Sequence, residues 1–307
     1  MSSDSDQAKT QFQVTDLDQL AHRLEATGDY KILRRMQARQ ATPTPADYTG
    51  KIGIMLDVET TGLDTTKDEI IEIAMVKFRY SDNDEIIGVS DTFQAFNQPS
   101  NPIPAEVTEL TGITDTMVAG QKIDAVKVKA FVADADIVVA HNANFDRRFA
   151  ERAWQFFEHK PWACSMSQID WKAHGYDGAK LGYLLAGAGL FHDAHRAIDD
   201  CHALVEILSH PRPGTSRRAF GELMNNARRK TSRVWAQRAP FDLKDVLKAR
   251  KYRWNDGSDG RPKSWYIDVD ASKRDDELKY LRQEIYQREI EINCRDVTAF
   301  DRFSNRT

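Results

Sequence analysis

The sequence predicts an α/β protein, a mixed sheet flanked by helices, followed by a smaller α+β module. Three observations carry this. The runs IGIMLD at 52–57 and DIVVA at 136–140 are apolar almost throughout, as strands are when both faces of their sheet are covered. Strand patterns joined by short turns come first and helix–strand alternation follows, which is the grammar of layered α/β domains. At 209–216, SHPRPGTS sets two prolines and a glycine into an otherwise periodic chain, where the charge also changes sign.

Residues 1–49 are expected to form a helical N-terminal extension. They begin polar, then space Leu17, Leu20 and Leu24, and later Ile32 and Leu33, for one apolar face of one or two helices packed on the main domain. ATPTPADYTG at 41–50 breaks that periodicity. Residues 50–210 form the main domain, starting with the strand IGIMLD. EIIEIAMVKFRY at 69–80 and IIGVSDTFQAF at 86–96 extend it as an antiparallel meander. AEVTELTG reads as a short helix closed by Gly112, with Thr114 or Asp115 capping the next. A helix around 124–134 leads into DIVVA, and helical periodicity returns at 145–157, 180–188 and 198–208. Residues 211–307 form the C-terminal module. There RVWAQ is a strand, DLKDVLKARKY a helix, KSWYIDVD a strand after the turn NDGSDGRP, and DDELKYLRQEIYQ a helix.

With 307 residues, 41% of them hydrophobic, the chain can bury one full-sized core and a smaller second one. No apolar run reaches the roughly 18 residues that span a bilayer. MSSDSDQAKTQFQ lacks the basic-then-apolar pattern of a signal peptide, so a soluble cytoplasmic protein without a membrane partner is expected. Cys164, Cys201 and Cys294 stand far apart with no C-x-x-C pair and read as reduced thiols. The net charge of −4 conceals an asymmetry: 1–210 carry 20 basic and 32 acidic side chains, 211–254 carry 13 and 3. A basic density of that kind either meets phosphates or solvates a face.

The acidic part holds the chemistry. Asp57 and Glu59 are one residue apart at the end of a strand, so the period of two aims both at one face. Thr60, Thr61 and Gly62 follow, the glycine permitting close backbone approach to a ligand. Alone, a D-x-E pair belongs more often to a solvated loop. Asp146 falls in the first turn of the helix after DIVVA, where by itself a carboxylate would serve the helix N-terminus. His195 and Asp200 lie just before and within the 198–208 helix, spaced to reach one mouth. Carboxylate oxygens are hard ligands suited to Mg²⁺ or Mn²⁺, not zinc. Two like charges about 4 Å apart repel by roughly 4 kcal/mol even at an effective dielectric of 20, so four converging acids call for cations.

In order, LDVETTG, HNANFD and HRAIDD, with NPIPAEVTELTGITD between the first two, resemble the motifs of the DEDDh branch of the DnaQ-like exonuclease superfamily over 50–210. The resemblance implies a ribonuclease H-like fold and a 3′-to-5′ exonuclease releasing nucleoside 5′-monophosphates with two divalent cations, Mg²⁺ or Mn²⁺. It implies that Asp57, Glu59, Asp146 and Asp200 hold the metals, Asp57 bridging them, and that His195 takes the proton of the attacking water. Thr60, Thr61, Gly62, Leu63, His141 and Asn142 would flank the terminal nucleotide. The partner is nucleic acid with a free 3′ end. DNA is favoured, and RNA stays open because no residue here commits to sensing a 2′-hydroxyl. A homo-oligomer or a DNA-processing partner is compatible with the chain. An exoribonuclease or short-oligonucleotide hydrolase would use the same pocket. A noncatalytic nucleic-acid-binding or polymerase-associated subunit would typically have lost an acid, and none is missing.

Neighbouring residues divide between the two readings. Asp199 is turned about 100° from Asp200 on a helix and belongs to the outer face. His174, His192 and His202 complete no metal-binding spacing and read as surface or packing residues. Glu72 reads as an exposed or internally hydrogen-bonded acid. In 217–254, Arg217, Arg218, Arg228, Arg229, Lys230, Arg233, Lys248, Arg250, Lys251 and Arg253 accompany Trp235, Tyr252 and Trp254, a pattern that can grip and stack a single strand. Against stacking, a module this small is expected to use Trp235, Phe241, Leu243 and Trp254 as its core. The stretch APFDLKDVLKARKYRW is similar to C-terminal extensions of some bacterial members of the superfamily.

Overall fold

The computed structural model describes residues 14–210, 218–257 and 260–306. The first 13 residues, most of the 209–216 break, Arg217 and part of the NDGSDGRP turn lie outside them.

The chain opens with helix α1 (Val14–Ala26), followed by the two-residue strand β1 (Arg34–Arg35). The meander is β2 (Lys51–Thr60), β3 (Ile70–Tyr80) and β4 (Ile86–Phe96). Short helices α2 (Ala105–Thr111) and α3 (Asp115–Val118) follow. Gly112 closes α2 at φ 71°, and the Thr114 hydroxyl accepts from the Met117 N–H, the punctuation the sequence predicts. Next come α4 (Ala125–Val132), β5 (Ile137–Ala140), α5 (Ala143–Ala153), β6 (Trp162–Cys164), α6 (Leu181–Gly187), β7 (Leu190–Phe191), α7 (Ala197–Ser209) and α8 (Ala219–Arg228). The C-terminal part adds β8 (Thr231–Ala236), α9 (Lys244–Ala249), β9 (Arg253–Asn255), β10 (Ser264–Asp270), α10 (Arg274–Tyr280) and β11 (Cys294–Val297).

The main sheet runs β4-β3-β2-β5-β6, antiparallel across the meander and parallel from β2 through β6. Alternation along β2 explains its apolar run. Met55 faces a core closed by Leu204, Val205 and Leu208 of α7 and Phe220 of α8. Ile54, Leu56 and Val58 face the other side, against Val128 and Val132 of α4 and Phe149 of α5. The expected mixed sheet flanked by helices is therefore present, with an additional C-terminal sheet. That second sheet runs β11-β8-β10-β9, all antiparallel, and buries Val234, Leu247, Leu281 and Ile285.

The extension forms one helix among its described residues, within the expected one or two, but its packing departs from expectation: Leu17 and Leu20 are about half exposed, so the apolar stripe is not packed away. The segment after it is drawn into extended backbone because Arg34 and Met36 N–H groups donate to Gly189 and Phe191 carbonyls, pairing β1 with β7. In the C-terminal part, Trp235 and Tyr252 are buried and Leu243 packs on the core, but Phe241 is 76% and Trp254 51% exposed. Trp254 lies on the edge strand β9, edge-on to Trp265 at 5.5 Å, where one face has nothing to pack against.

The two sheets are joined through α5. Arg147, fully buried, donates to the carbonyls of Ala299, Phe300 and Arg302 and to the Glu151 carboxylate, while the Trp162 N–H donates to the Ala299 carbonyl.

Candidate active site

Parallel strands β2 and β5 end on the same side of the sheet, and α7 begins there. That convergence brings side-chain oxygens of Asp57, Glu59 and Asp200 within 4.8 Å of one another. In an octahedral Mg²⁺ shell, with oxygens at 2.0–2.1 Å, ligand atoms lie at most roughly 4.2 Å apart, so a small inward movement completes the fit. The donor set is all oxygen, which fits a hard divalent cation.

Asp146 stands behind this trio. It is 2% exposed, and its Oδ1 accepts from the Val58 N–H at 3.2 Å, which ties the first turn of α5 to the strand between Asp57 and Glu59. Burial, reinforced by the charges of Asp146, Asp200, Glu59 and Glu72, holds the Asp57 carboxyl well above the usual carboxylate range. Burial and the Asp200 charge push Glu59 up to about 8. Asp146 is also pushed up to about 8 by burial, against the Val58 hydrogen bond, which lowers it. Without cations, the cluster favours bound protons.

Asp200 is held at both oxygens. His192 Nε2 donates to Oδ1 at 2.7 Å, and the His195 backbone N–H donates to Oδ2 at 3.0 Å. The expectation for His192 as a surface or packing residue is incomplete, because its side chain is 5% exposed and rests on a cluster carboxylate. Its place three residues before His195, on the same loop, was the only signal. His195 has φ 67°, a left-handed conformation uncommon outside glycine, and its side chain is exposed. Asp199 does not join the trio. Glu72 is fully buried and internally bonded, accepting from Gln94 at 2.5 Å and from the Ala197 N–H at 3.4 Å.

The expected nucleotide-flanking residues are arranged as follows. The Thr60 hydroxyl donates to the Gly62 carbonyl at 2.6 Å, and the Thr61 hydroxyl donates to Asp68 at 3.3 Å. A Cβ on Gly62 would sit 2.5 Å from the Asp68 carboxylate, so a larger residue here would have to displace that side chain. Leu63 projects at 85% exposure. The His141 imidazole turns inward, Nε2 donating to the Ala179 carbonyl at 2.7 Å and Nδ1 facing the Ser165 hydroxyl at 2.8 Å, and burial keeps it neutral. Asn142 precedes α5 at φ 83° and is exposed.

The exonuclease family described as RNase_T matches residues 54–208. Among curated proteins, the PolC-type DNA polymerase III of Listeria monocytogenes is 47% identical over 103 residues, 33% of this chain and 7% of that protein. That of Caldanaerobacter subterraneus is 34% identical over 161 residues, 50% of this chain and 11% of that protein. The chain thus spans about a tenth or less of the length of these relatives. Among solved structures, exonuclease X in complex with 5′ overhanging duplex DNA is 23% identical, with 57% of this chain and 99% of that chain covered at a TM-score of 0.40. E. coli exonuclease I in complex with a 5cy-dA13 oligonucleotide is 12% identical, with 72% and 63% covered at a TM-score of 0.49.

Proposed function

The chain belongs to the RNase_T exonuclease family, and on that premise we propose that it works 3′ to 5′, hydrolysing the terminal phosphodiester of single-stranded or frayed DNA and releasing nucleoside 5′-monophosphates. The observation that carries this reading is the convergence of Asp57, Glu59 and Asp200 at the shared end of β2 and α7, with Asp146 behind them. Two divalent cations, Mg²⁺ or Mn²⁺, held by these four carboxylates, would acidify water and offset the charge of the phosphate.

The chain's own groups do the rest. His195 takes a proton from the attacking water on its imidazole, as the water oxygen bonds to phosphorus and the bond to the 3′-oxygen breaks, the leaving oxygen taking a proton from solvent to become a 3′-hydroxyl. Its left-handed backbone and N–H bond to Asp200 fix the root of the side chain while the ring stays exposed to the reacting groups. The backbone of Thr60, Thr61 and Gly62 borders the terminal nucleotide, with Leu63 offering apolar surface to its base. His141 serves the same subsite from behind by fixing the turn that presents Asn142.

Digestion of end-labelled oligonucleotides tests the proposal. With Mn²⁺, 5′-labelled single-stranded DNA should shorten stepwise, 3′-labelled DNA should release mononucleotide at once, and EDTA should stop both. Internal cuts or loss from the 5′ end would overturn the direction. Faster release from a matched RNA would reassign the substrate.

A further inference from the structure

We propose that the cleft between the main sheet and the C-terminal sheet is a second nucleic-acid subsite, holding the phosphodiester backbone of a single strand that leads to the carboxylates. The inference rests on the exonuclease reading for its ligand, while the cleft itself is read from geometry and charge.

The cleft has a volume of about 800 Å³, in the range of small-ligand sites. One wall belongs to the exonuclease domain, where Asn142, Asn144 and Arg148 line it from the start of α5. The turn after β6 also lines it, with Cys164, Met166 and Gln168, and because β2, β5 and β6 run parallel the cleft opens at the same sheet edge that carries the acidic cluster. The opposite wall comes from the C-terminal part, with Arg229, Arg253, Arg261, Tyr266 and Arg302. Arg253 and Tyr266 are direct cross-strand partners of β9 and β10, so alternation sends both to the same face of the sheet.

The lining carries six arginines against four acids, and each acid is already hydrogen-bonded, Asp170 accepting from the Ala173 N–H at 3.0 Å. Asp268 accepts two hydrogen bonds from Arg233, at 2.7 and 2.9 Å. Glu222 accepts from the Asp170 N–H at 2.8 Å and bonds His174 at 2.6 Å, and Asp270 accepts from the Ser272 N–H at 3.0 Å. Arg302 is fixed on the carbonyls of Ala227 and Arg229, at 3.2 and 2.7 Å, neutral acceptors that hold a guanidinium without cancelling its charge. Arg229 and Arg253 are exposed. Guanidinium groups on both walls of a narrow cleft suit a chain of phosphates, which they bind through paired N–H groups. The cleft is also preformed, since Arg147 and the Trp162 N–H fasten the C-terminal segment to the exonuclease domain.

Fluorescence anisotropy of the full chain in EDTA tests this, because without divalent cations hydrolysis does not interfere. Labelled dT20 is titrated at several salt concentrations. Arg229→Gln with Arg253→Gln should weaken binding about tenfold or more and flatten the dependence of log affinity on log salt by about 1.4, or about 0.7 for each phosphate left without its arginine. The single variants should each account for about half of that change and guard against a folding defect in the double variant. Lys127→Gln with Lys129→Gln, on α4 outside the cleft, should leave affinity and slope unchanged. A wild-type slope and affinity in folded Arg229 and Arg253 variants would overturn the proposal, as would a poly-glutamate peptide binding as tightly as dT20. Loss of strand binding in a protein that releases no mononucleotide with Mn²⁺ would refute the exonuclease reading and leave the cleft standing.

Discussion

Asp57 is placed where burial and like charge act together, and a proton or a cation on its oxygens offsets both. Replacing it by Ala removes a ligand and relieves repulsion, so activity and stability should move in opposite directions. Asp57→Ala or Asp200→Ala is expected to abolish Mn²⁺-dependent nucleotide release while the protein stays folded, by circular dichroism, with an unchanged or higher melting temperature when metal-free. Full activity in either variant would remove the metal assignment. His195 makes a different prediction because its ring is exposed and its hydrogen bond into the cluster is through the backbone. His195→Ala should lower kcat by about 10²–10⁴ and leave Mn²⁺ affinity, measured by calorimetry, near wild type. The residue identities of the cluster were legible because strand periodicity and motif order fix them. His192 was not, because a histidine that completes no ligand spacing shows its partner only once the loop is folded back on α7.

At the scale of elements, three ends make the site: the C-terminal ends of β2 and β5 and the first turn of α7. The meander and the helices after it were legible from apolar period and capping chemistry, and Gly112 and Thr114 do what their residue types dictate. The short strands β1, β6, β7, β9 and β11 were not, since they have no measurable alternation and are made by their partners' hydrogen bonds; β5, also four residues, was legible because its run is wholly apolar. The helix α8, ten residues beside the prolines of the 209–216 break, was hidden by that punctuation. The loop from β7 into α7 presents both His192 and the His195 N–H to Asp200, so it sets the angle of that carboxylate. His192→Ala should therefore weaken Mn²⁺ binding by about 10–100-fold, with partial recovery in His192→Gln, which keeps an N–H donor. Equal affinity in all three proteins would show that the 2.7 Å bond does not position Asp200.

For the whole molecule, two couplings decide stability. The first is Arg147, whose four hydrogen bonds cross from α5 to the C-terminal segment and to Glu151. Arg147→Met keeps most of the volume but removes a donor from three carbonyls and from Glu151, which still holds Ser304 and Arg306. A loss of about 1–3 kcal/mol in urea unfolding is expected, together with new proteolytic cuts near 298–306. Wild-type stability would mean that the two parts hold together without it. The second coupling is between protons, metal and fold. Glu59 and Asp146, both pushed up to about 8, and Asp57, also raised, bind protons more tightly folded than unfolded. The stability these groups give the metal-free protein should be fully present below about pH 4, the unfolded carboxylate range, and should fall as pH rises toward 8, where the folded cluster must ionise against its own repulsion. A divalent cation replaces those protons, so its stabilising effect should grow over the same window. At about 100 times its dissociation constant it contributes about 2.7 kcal/mol, or a rise in melting temperature of about 5–10 °C. Melting curves at pH 5 and pH 8, with EDTA and with Mn²⁺, should show the larger metal shift at pH 8, and Asp57→Ala should reduce the difference between the two. Equal shifts at both pH values would mean that the cluster carries its charges without strain, and the case for a metal requirement built on repulsion would fail.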